Sequence, residues 1–594
     1  MTAPVHAADV FHLSLVFQTG DNAPLGRRLA LTLHNMLDAS QSDDGERVVA
    51  VWGTPSHDGR ILKSDDIARW LRTQSIETVA QRLDSSYLLI VYERLADRLR
   101  IVSDRFGSLP LFHRTAAGEF NASTSFKRLF DARGAVHSPG FDPWTVVEFF
   151  HFRRVFNTRT YDREIAFLPG ASILTISADG TSQRQAYWQI APDKLTLGQT
   201  AMAERLANAL RDSMQTAMSD GRRYGLLLSG GLDARALLAA APRAPVCFTT
   251  TPKPNNELAV ATELARLRGA GHVYIPRPEQ LLDRALAPSV ALSGGMTIFN
   301  EVPFLGYGDQ ILPSADTVFM GLALDIMFCG HYLPKSLASY GGRHGWHFQL
   351  HALGDELPAL FADTVSYRLK TSDPARVLRA EFRDRARAHI VDCVRQEMDE
   401  GRRAGLTGYD LWEFAHLHNL ARHYSLLMAQ SVRTFATCRI PAFTNRLYDL
   451  CWNMRAEDKA NWAVYQSAIK LLNPELMRVR NANTNIRADL SLPMQTAVKF
   501  ARSIANRAFG TTRGASPSWW DRSWPEPSQA IASNPSIQDA VRGLPHSEGL
   551  AAAGMFDLDA IGRVVSEHMA GTHDHTVMLN ELVTIDSVLH PFQP

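Results

Sequence analysis

Cysteine is scarce: the chain of 594 residues has five, Cys247, Cys329, Cys393, Cys438 and Cys451, odd in number, far apart and without C-x-x-C spacing. That excludes a disulfide framework, a zinc ribbon and dithiol redox work, and predicts reduced, mostly buried thiols. A charge excess is also missing. Sixty-two basic residues stand against 61 acidic ones, a formal net charge of +1, so no global field collects nucleic acid or an anionic membrane surface. No apolar run approaches the length of a bilayer span, and the first twenty residues lack a basic segment followed by an apolar one. The expectation is a cytoplasmic protein with neither nucleic acid nor membrane as partner.

What is present is ample for folding. Apolar residues make up 45% and charged residues 21% of the chain, and this length exceeds what one core organises, so two or more domains are expected. To about Ile190, short apolar runs alternate with turn residues at Phe11 to Phe17, Arg47 to Trp52, Tyr87 to Tyr92, Leu99 to Val102 and Ser172 to Ile176. Helical patterns at Asp65 to Leu71 and Trp144 to Phe150 make this half a layered α/β domain. From Leu195 helical periodicity dominates: Leu197 to Met218 leads into a strand at Tyr224 to Leu228, and helices are predicted at Arg376 to Glu400, Leu411 to Met428, Trp462 to Leu472 and Phe556 to Phe592. Gly510 to Ser528, rich in Gly, Ser, Pro and Trp, reads as a surface loop. The division is therefore 1–190 and 195–594.

The most informative stretch is Tyr224 to Leu238, an apolar strand that ends in Ser229-Gly230-Gly231-Leu232-Asp233 and passes at once into an alanine- and leucine-rich helix. Two glycines let the backbone approach a ligand, the serine adds a hydroxyl, and the first helical amides point free N–H groups at negative charge. The loop has no lysine and no G-x-x-x-x-G-K-[ST] spacing, which disfavours a γ-phosphate transferase. Asp233 beside a polyphosphate calls for a divalent cation between them, so it is assigned to magnesium. The plainer alternative is a glycine turn into a helix whose first turn holds an acid. A second carboxylate, Asp325, follows the apolar strand Thr317 to Met320 and suits the same metal, or caps a helix.

Leu228-Ser229-Gly230-Gly231-Leu232-Asp233 resembles the pyrophosphate loop of the asparagine synthetase superfamily, whose members adenylate a carboxylate, release pyrophosphate and pass the acyl group to an amine. Other segments resemble the family in order: Ser103 to Phe112 its D-R-x-G-x-x-P-L-Y, Phe167-Leu168-Pro169-Gly170 its L-P-P-G, Tyr187-Trp188 its Y-W, Gly321 to Tyr332 its G-x-G-x-D-E-L-F-x-G-Y, and Arg439 to Phe443 its R-x-P-F. The resemblance implies an inactive amino-terminal domain of the Ntn-hydrolase type. It implies, after it, a parallel-sheet synthetase domain like the adenine-nucleotide α-hydrolases, with a helical lobe. It implies ATP and Mg2+ as cofactors, Asp325 as second magnesium ligand, and backbone near Leu228, Thr250 and Gly321 around adenosine.

The chain also departs from that pattern. Glutamine-using relatives have cysteine after the initiator methionine; here Thr2 stands there, no cysteine precedes Cys247, and no N-G-E segment is found. A terminal threonine is a nucleophile in principle, but ammonia from glutamine is not expected. The family hydroxyl after the aspartate is Ala234, and Arg235 next to it either supplies a charge-assisted phosphate contact or points into solvent. Leu322 stands where asparagine synthetases have glutamate and β-lactam synthetases tyrosine, so both substrates lose support. The family lysine is absent after Leu472, leaving Lys470 or Arg480 to supply positive charge to the acyl-transfer transition state, and Glu413, His416 and His423 as candidates for the base. Lasso peptide cyclases resemble this pattern most closely. They join a peptide's amino terminus to an internal Asp or Glu side chain, which implies a peptide substrate, a leader-peptide-binding protein and a leader peptidase as partners. The alternatives are a small-molecule amide ligase such as a β-lactam synthetase, and a nucleotide-binding relative without catalysis.

Overall fold

Arg47–Gly53 and Tyr87–Glu93 are apolar at nearly every position, the pattern of strands buried on both faces. They become adjacent interior strands of a six-stranded antiparallel sheet in a computed structural model that describes residues 10–18, 29–116, 118–340, 344–365, 373–418, 420–422, 425–509 and 531–590. Val48, Ala50 and Trp52 face inward against Leu13, Leu15 and Phe17 of a second, five-stranded antiparallel sheet. Val49 and Val51 face outward against Ile67, Leu71 and Val79 of the helices Ser64–Leu71 and Ile76–Arg82. The amino-terminal half is thus a sheet-on-sheet sandwich with helices outside, a layered α/β arrangement.

The second half is built on five parallel strands in the spatial order His272–Pro276, Val246–Thr251, Tyr224–Leu227, Thr317–Phe319 and Thr437–Arg439. Chain order therefore runs outward one way from Tyr224–Leu227 and then reverses to the other side, with Thr317–Phe319 as its other neighbour. That gap between the two directions is a topological switch point, where helices diverge and a crevice opens at the carboxyl ends of the strands. The helices Asp233–Ala240 and Asn256–Arg268 form the crossovers on one side of the switch point.

Several expectations need correction. The single helix expected at Leu411 to Met428 is two, Gly408–Leu417 and Ser425–Arg433, with a 3-10 turn at Leu420–Arg422. The final helical stretch is likewise Leu558–Met569 and Thr576–Leu589, separated by a turn that contains Gly571 at φ +70°. A hairpin, Lys335–Tyr340 with His344–Leu350, had no sequence signal strong enough to place it. Thr2 and the Gly510 to Ser528 segment lie outside the described residues. All five cysteines are buried and free, and among the described residues no helix is long and apolar enough to cross a membrane.

Candidate functional site

Asp233 and Asp325 follow the two strands that flank the switch point, and the fold brings them face to face. Asp233 is the first residue of the helix Asp233–Ala240, and Asp325 lies in the first turn of Leu324–Phe328. Gly321 makes the approach feasible: a Cβ there would lie 2.8 Å from the amide of Ala234 and 2.8 Å from the carbonyl carbon of Asp233. Only a residue without a side chain lets the two loops touch. Ala323, just before the second helix, is held at φ +69°, a conformation costly for a residue with a Cβ. Local strain is tolerated where it fixes Asp325.

Burial, and after it the like charge of Asp325, hold the Asp233 carboxyl well above the usual carboxylate range, even though Tyr465 donates its hydroxyl to Asp233 Oδ1 at 2.8 Å. The same surroundings push the buried Cys329 thiol upward, by burial first and then by the two aspartates. Two adjoining carboxylates in a half-buried site cannot both ionise without a counter-charge. A divalent cation fits this pair, since hard oxygen donors of opposite charge are what magnesium takes from a protein. Tyr465 escaped the sequence reading because in Ala463–Leu472 its only signal was helical periodicity; it is fully buried, and nothing local announces a partner 232 positions away.

The Ser-Gly-Gly turn is held from behind. Ser229 Oγ accepts the Gly231 amide at 3.3 Å, and the Gly230 carbonyl accepts the Ala482 amide at 3.2 Å. A Cβ on Gly230 would meet the Ala482 methyl at 2.3 Å, so this glycine is required by packing as well as by ligand approach. Arg235 does neither thing expected of it. It is fully buried, and its terminal nitrogens donate to the carbonyls of Leu476 (3.1 Å), Val479 (2.9 Å), Gly230 (3.3 Å) and Arg480 (2.9 Å). All four terminal N–H groups are thereby committed. The residue ties the loop to the segment 476–482 and burial draws its guanidinium down to about 10.

The positions assigned to adenosine line the same sheet edge. Leu228 follows its strand with its amide on the Phe248 carbonyl (2.8 Å) and its own carbonyl accepting Thr249 Oγ1 (2.8 Å), while Thr250 donates its hydroxyl to Tyr307 at 3.4 Å. Leu232 precedes Asp233 as the residue that opens the helix. The proposed catalytic residues are scattered. Arg480 is exposed in the short hairpin with Ile486–Arg487, beside the loop by way of its carbonyl. Lys470 is exposed on the Tyr465 helix, five residues on and so turned away from Tyr465. Glu413 is buried in an ion pair with fully buried Lys459 Nζ at 2.8 Å, which makes it part of the core rather than a base open to substrate. His416 is buried and stacked on Tyr332, and His423 lies outside the described residues.

One lysine the sequence did not single out is near the site. Lys335 Nζ donates to the carbonyls of Cys329 and Ala460, each at 3.0 Å, and sits 4.8 Å from the centre of the Phe348 ring. It thus caps the end of the Asp325 helix, and burial lowers it to about 8. In the amino-terminal half, Asp104 of the D-R-F-G segment is fully buried and accepts from the amides of Tyr87 (3.0 Å), Phe106 (2.8 Å) and Ser108 (3.1 Å) and from Ser108 Oγ (2.5 Å). Its acceptor capacity is spent on the protein itself.

Residues 205–590 match the family model for asparagine synthase, and residues 69–188 match the one for a glutamine amidotransferase domain. No curated protein matches the chain. Among solved structures it is similar to a glutamine phosphoribosylpyrophosphate amidotransferase from B. subtilis complexed with ADP and GMP, at 8% identity over 45% of this chain and 60% of that one, with a TM-score of 0.19. A second, described as the allosteric regulatory enzyme of purine biosynthesis, is 9% identical over 45% of this chain and 60% of that one, with a TM-score of 0.20. The chain spans 60% of the length of each of these structures. The asparagine synthase match runs through the strand, the Ser-Gly-Gly turn, both aspartates and the helical lobe, and on that ground the chain belongs to the asparagine synthase family.

Proposed function

We propose that this chain is an AMP-forming carbon–nitrogen ligase that closes a peptide into a macrolactam, as lasso peptide cyclases do. The observation that carries the ligase reading is the apposition of Asp233 and Asp325 at the switch point, beside the Ser-Gly-Gly turn that leads into the helix Asp233–Ala240. Residues 1–190 then act as a glutaminase-like domain without glutamine chemistry, and 195–594 as the synthetase. A spent Asp104 and the lack of cysteine before Cys247 both point to an amine other than glutamine-derived ammonia. The apolar Leu322 favours an amine with no α-amino-acid head to recognise, and a peptide terminus meets that description.

Asp233 and Asp325 are the residues that hold Mg2+, which when bound neutralises the charge of the departing diphosphate. The turn Ser229 to Leu232 positions the β- and γ-phosphates of ATP, and Gly321 lets the Asp325 loop close against Asp233. An oxygen of the substrate carboxylate forms a bond to the α-phosphorus as the bond to the bridging oxygen breaks, releasing pyrophosphate. The amine then attacks the acyl carbon, loses a proton and expels AMP, giving one amide. The role of offsetting the charge of that second step is assigned to Arg480 or Lys470. Holding both reacting ends of one chain makes closure effectively unimolecular. The setting proposed is cytoplasmic, with a leader-peptide-binding protein and a leader peptidase upstream.

The test is incubation with ATP, Mg2+ and a linear peptide that has a free amino terminus and an internal Asp or Glu. Loss of one water from the peptide with stoichiometric pyrophosphate, both abolished by Asp233→Asn, is the expected result. Turnover of an amino-acid derivative with no peptide closure would move the assignment to a small-molecule amide ligase. No pyrophosphate with any carboxylate would leave a nucleotide-binding protein without catalysis.

A further inference from the structure

Two short helices bring their side chains to the aspartate pair, and each begins at a residue held against its preference. Leu324–Phe328, which carries Asp325, starts after Ala323 at φ +69°. Ala463–Leu472, which carries Tyr465, starts after Trp462 at φ +62°. Left-handed backbone at a residue with a Cβ is costly and persists only where the surrounding structure over-determines it.

Lys335 reaches both helices. Its Nζ donates at 3.0 Å to the carbonyl of Cys329, the residue that closes the Asp325 helix, and at 3.0 Å to that of Ala460, two residues before Trp462. The first bond spans six positions because the chain turns back at Gly330, φ +52°, where a Cβ would lie 2.6 Å from Leu333 Cδ1. The second spans 125 positions. The ammonium also lies 4.8 Å from the centre of the Phe348 ring and 5.9 Å from that of Trp462, so the two aromatic faces add cation–π attraction at the same junction. Asn461 fastens the hairpin that Lys335 opens: its Oδ1 accepts the Phe348 amide at 2.6 Å, and its Nδ2 donates to the Phe348 carbonyl at 3.2 Å. Of the three N–H groups of the ammonium, two are spent on backbone carbonyls. Its effect on the site therefore runs through the elements it joins.

We propose that Lys335 is a positioning residue for the Asp233–Asp325 pair: by tying the end of the Asp325 helix to the start of the Tyr465 helix, it fixes the separation at which the two acids and the phenol meet. The inference rests on the ligase reading in taking that pair as the Mg2+ site. The hairpin Lys335–Tyr340 with His344–Leu350, to which no step of the chemistry is assigned, becomes part of the frame of that site.

Lys335→Met removes the donors and keeps an unbranched stem. Half-saturating Mg2+ for pyrophosphate release should rise about tenfold, the loss typical when a group behind a metal ligand is removed, while kcat at saturating Mg2+ changes little. Lys335→Arg, which retains donors, should recover part of the affinity. Combined with Tyr465→Phe, the two losses should amount to less than their sum, because both act on one site. Amide exchange at Cys329, bonded to the Asp325 carbonyl at 2.9 Å, and at Gln466, bonded to the Trp462 carbonyl at 2.8 Å, should quicken together in Lys335→Met. Exchange needs no turnover, so it decides the proposal even if wild type releases no pyrophosphate, a result that would count against the ligase reading alone. If Lys335→Met does not fold, Asn461→Ala, which loosens the hairpin at Phe348, must raise the Mg2+ requirement instead. A variant that loses stability but keeps the wild-type Mg2+ requirement, or unchanged exchange at both amides, would overturn the proposal and leave Lys335 a purely structural cap.

Discussion

The phenol of Tyr465 donates to Asp233 Oδ1 at 2.8 Å from a fully buried position, so one oxygen of the proposed metal ligand is fixed before any cation arrives. That bond favours the ionised acid while burial and Asp325 favour the neutral one. Tyr465→Phe keeps the ring packed against Phe328, whose centre is 6.4 Å away, and deletes only the donor. Pyrophosphate release should fall about tenfold at limiting Mg2+ and recover at high Mg2+, with stability changed by about 1 kcal/mol. A drop that no Mg2+ concentration relieves would mean that the hydroxyl acts on something other than Asp233.

Arg235 ties the pyrophosphate loop, at the Gly230 carbonyl, to residues 476–480 through the three carbonyls of Leu476, Val479 and Arg480. Arg235→Met keeps much of the volume and leaves those acceptors without their donor. The expected loss is about 2–4 kcal/mol, since each buried polar group left unpaired is costly. Amide exchange should speed up first at Ala482, whose N–H is bonded to Gly230. A melting temperature unchanged by the substitution would show that the carbonyls find water instead.

The sequence makes some of this plain and hides the rest for physical reasons. The strand, turn and helix at 224–240 are legible because hydrophobic period, glycine and acid all fall within a dozen neighbouring residues. Asp325 is legible as an acid after an apolar strand, but its closeness to Asp233 follows from strand order, which no local pattern encodes. Arg235 reads equally well as a phosphate ligand or a surface residue; only the fold of 476–482 over the loop shows it as a tie. Glu413 looks like a base on a helix until Lys459, 46 positions later, is found buried against it. Long-range pairing of polar groups is decided by packing, and packing is invisible to spacing along the chain.

Burial raises the Glu581 carboxyl to about 7 although Arg153 lies 2.9 Å away and pulls it down. The folded value is above the unfolded one, so the folded state holds more protons and this group's contribution to stability falls as pH rises, from the ordinary glutamate range to about 7. Glu581→Gln mimics the protonated acid at every pH. Chemical denaturation from pH 4.5 to 8 should show wild type losing about 2–3 kcal/mol relative to the variant across that window. Parallel curves would mean that Arg153 compensates the charge in full.

Asp325 faces Asp233 and its like charge raises the Asp233 carboxyl, so the arrangement that suits a cation works against the protein without one. Asp325→Asn keeps the size of the side chain and the acceptor for the Ile326 amide, now 2.8 Å from Asp325 Oδ1. It removes one like charge, which should raise the melting point measured in a chelator by an amount equivalent to about 1 kcal/mol. Added Mg2+ should stabilise wild type through mass action and leave the variant where it was. Pyrophosphate release should be lost at the same time. A variant that is both less stable in chelator and still responsive to Mg2+ would place the ion elsewhere and recast Asp325 as a helix cap, because only a residue strained by its partner gains stability when its charge is taken away.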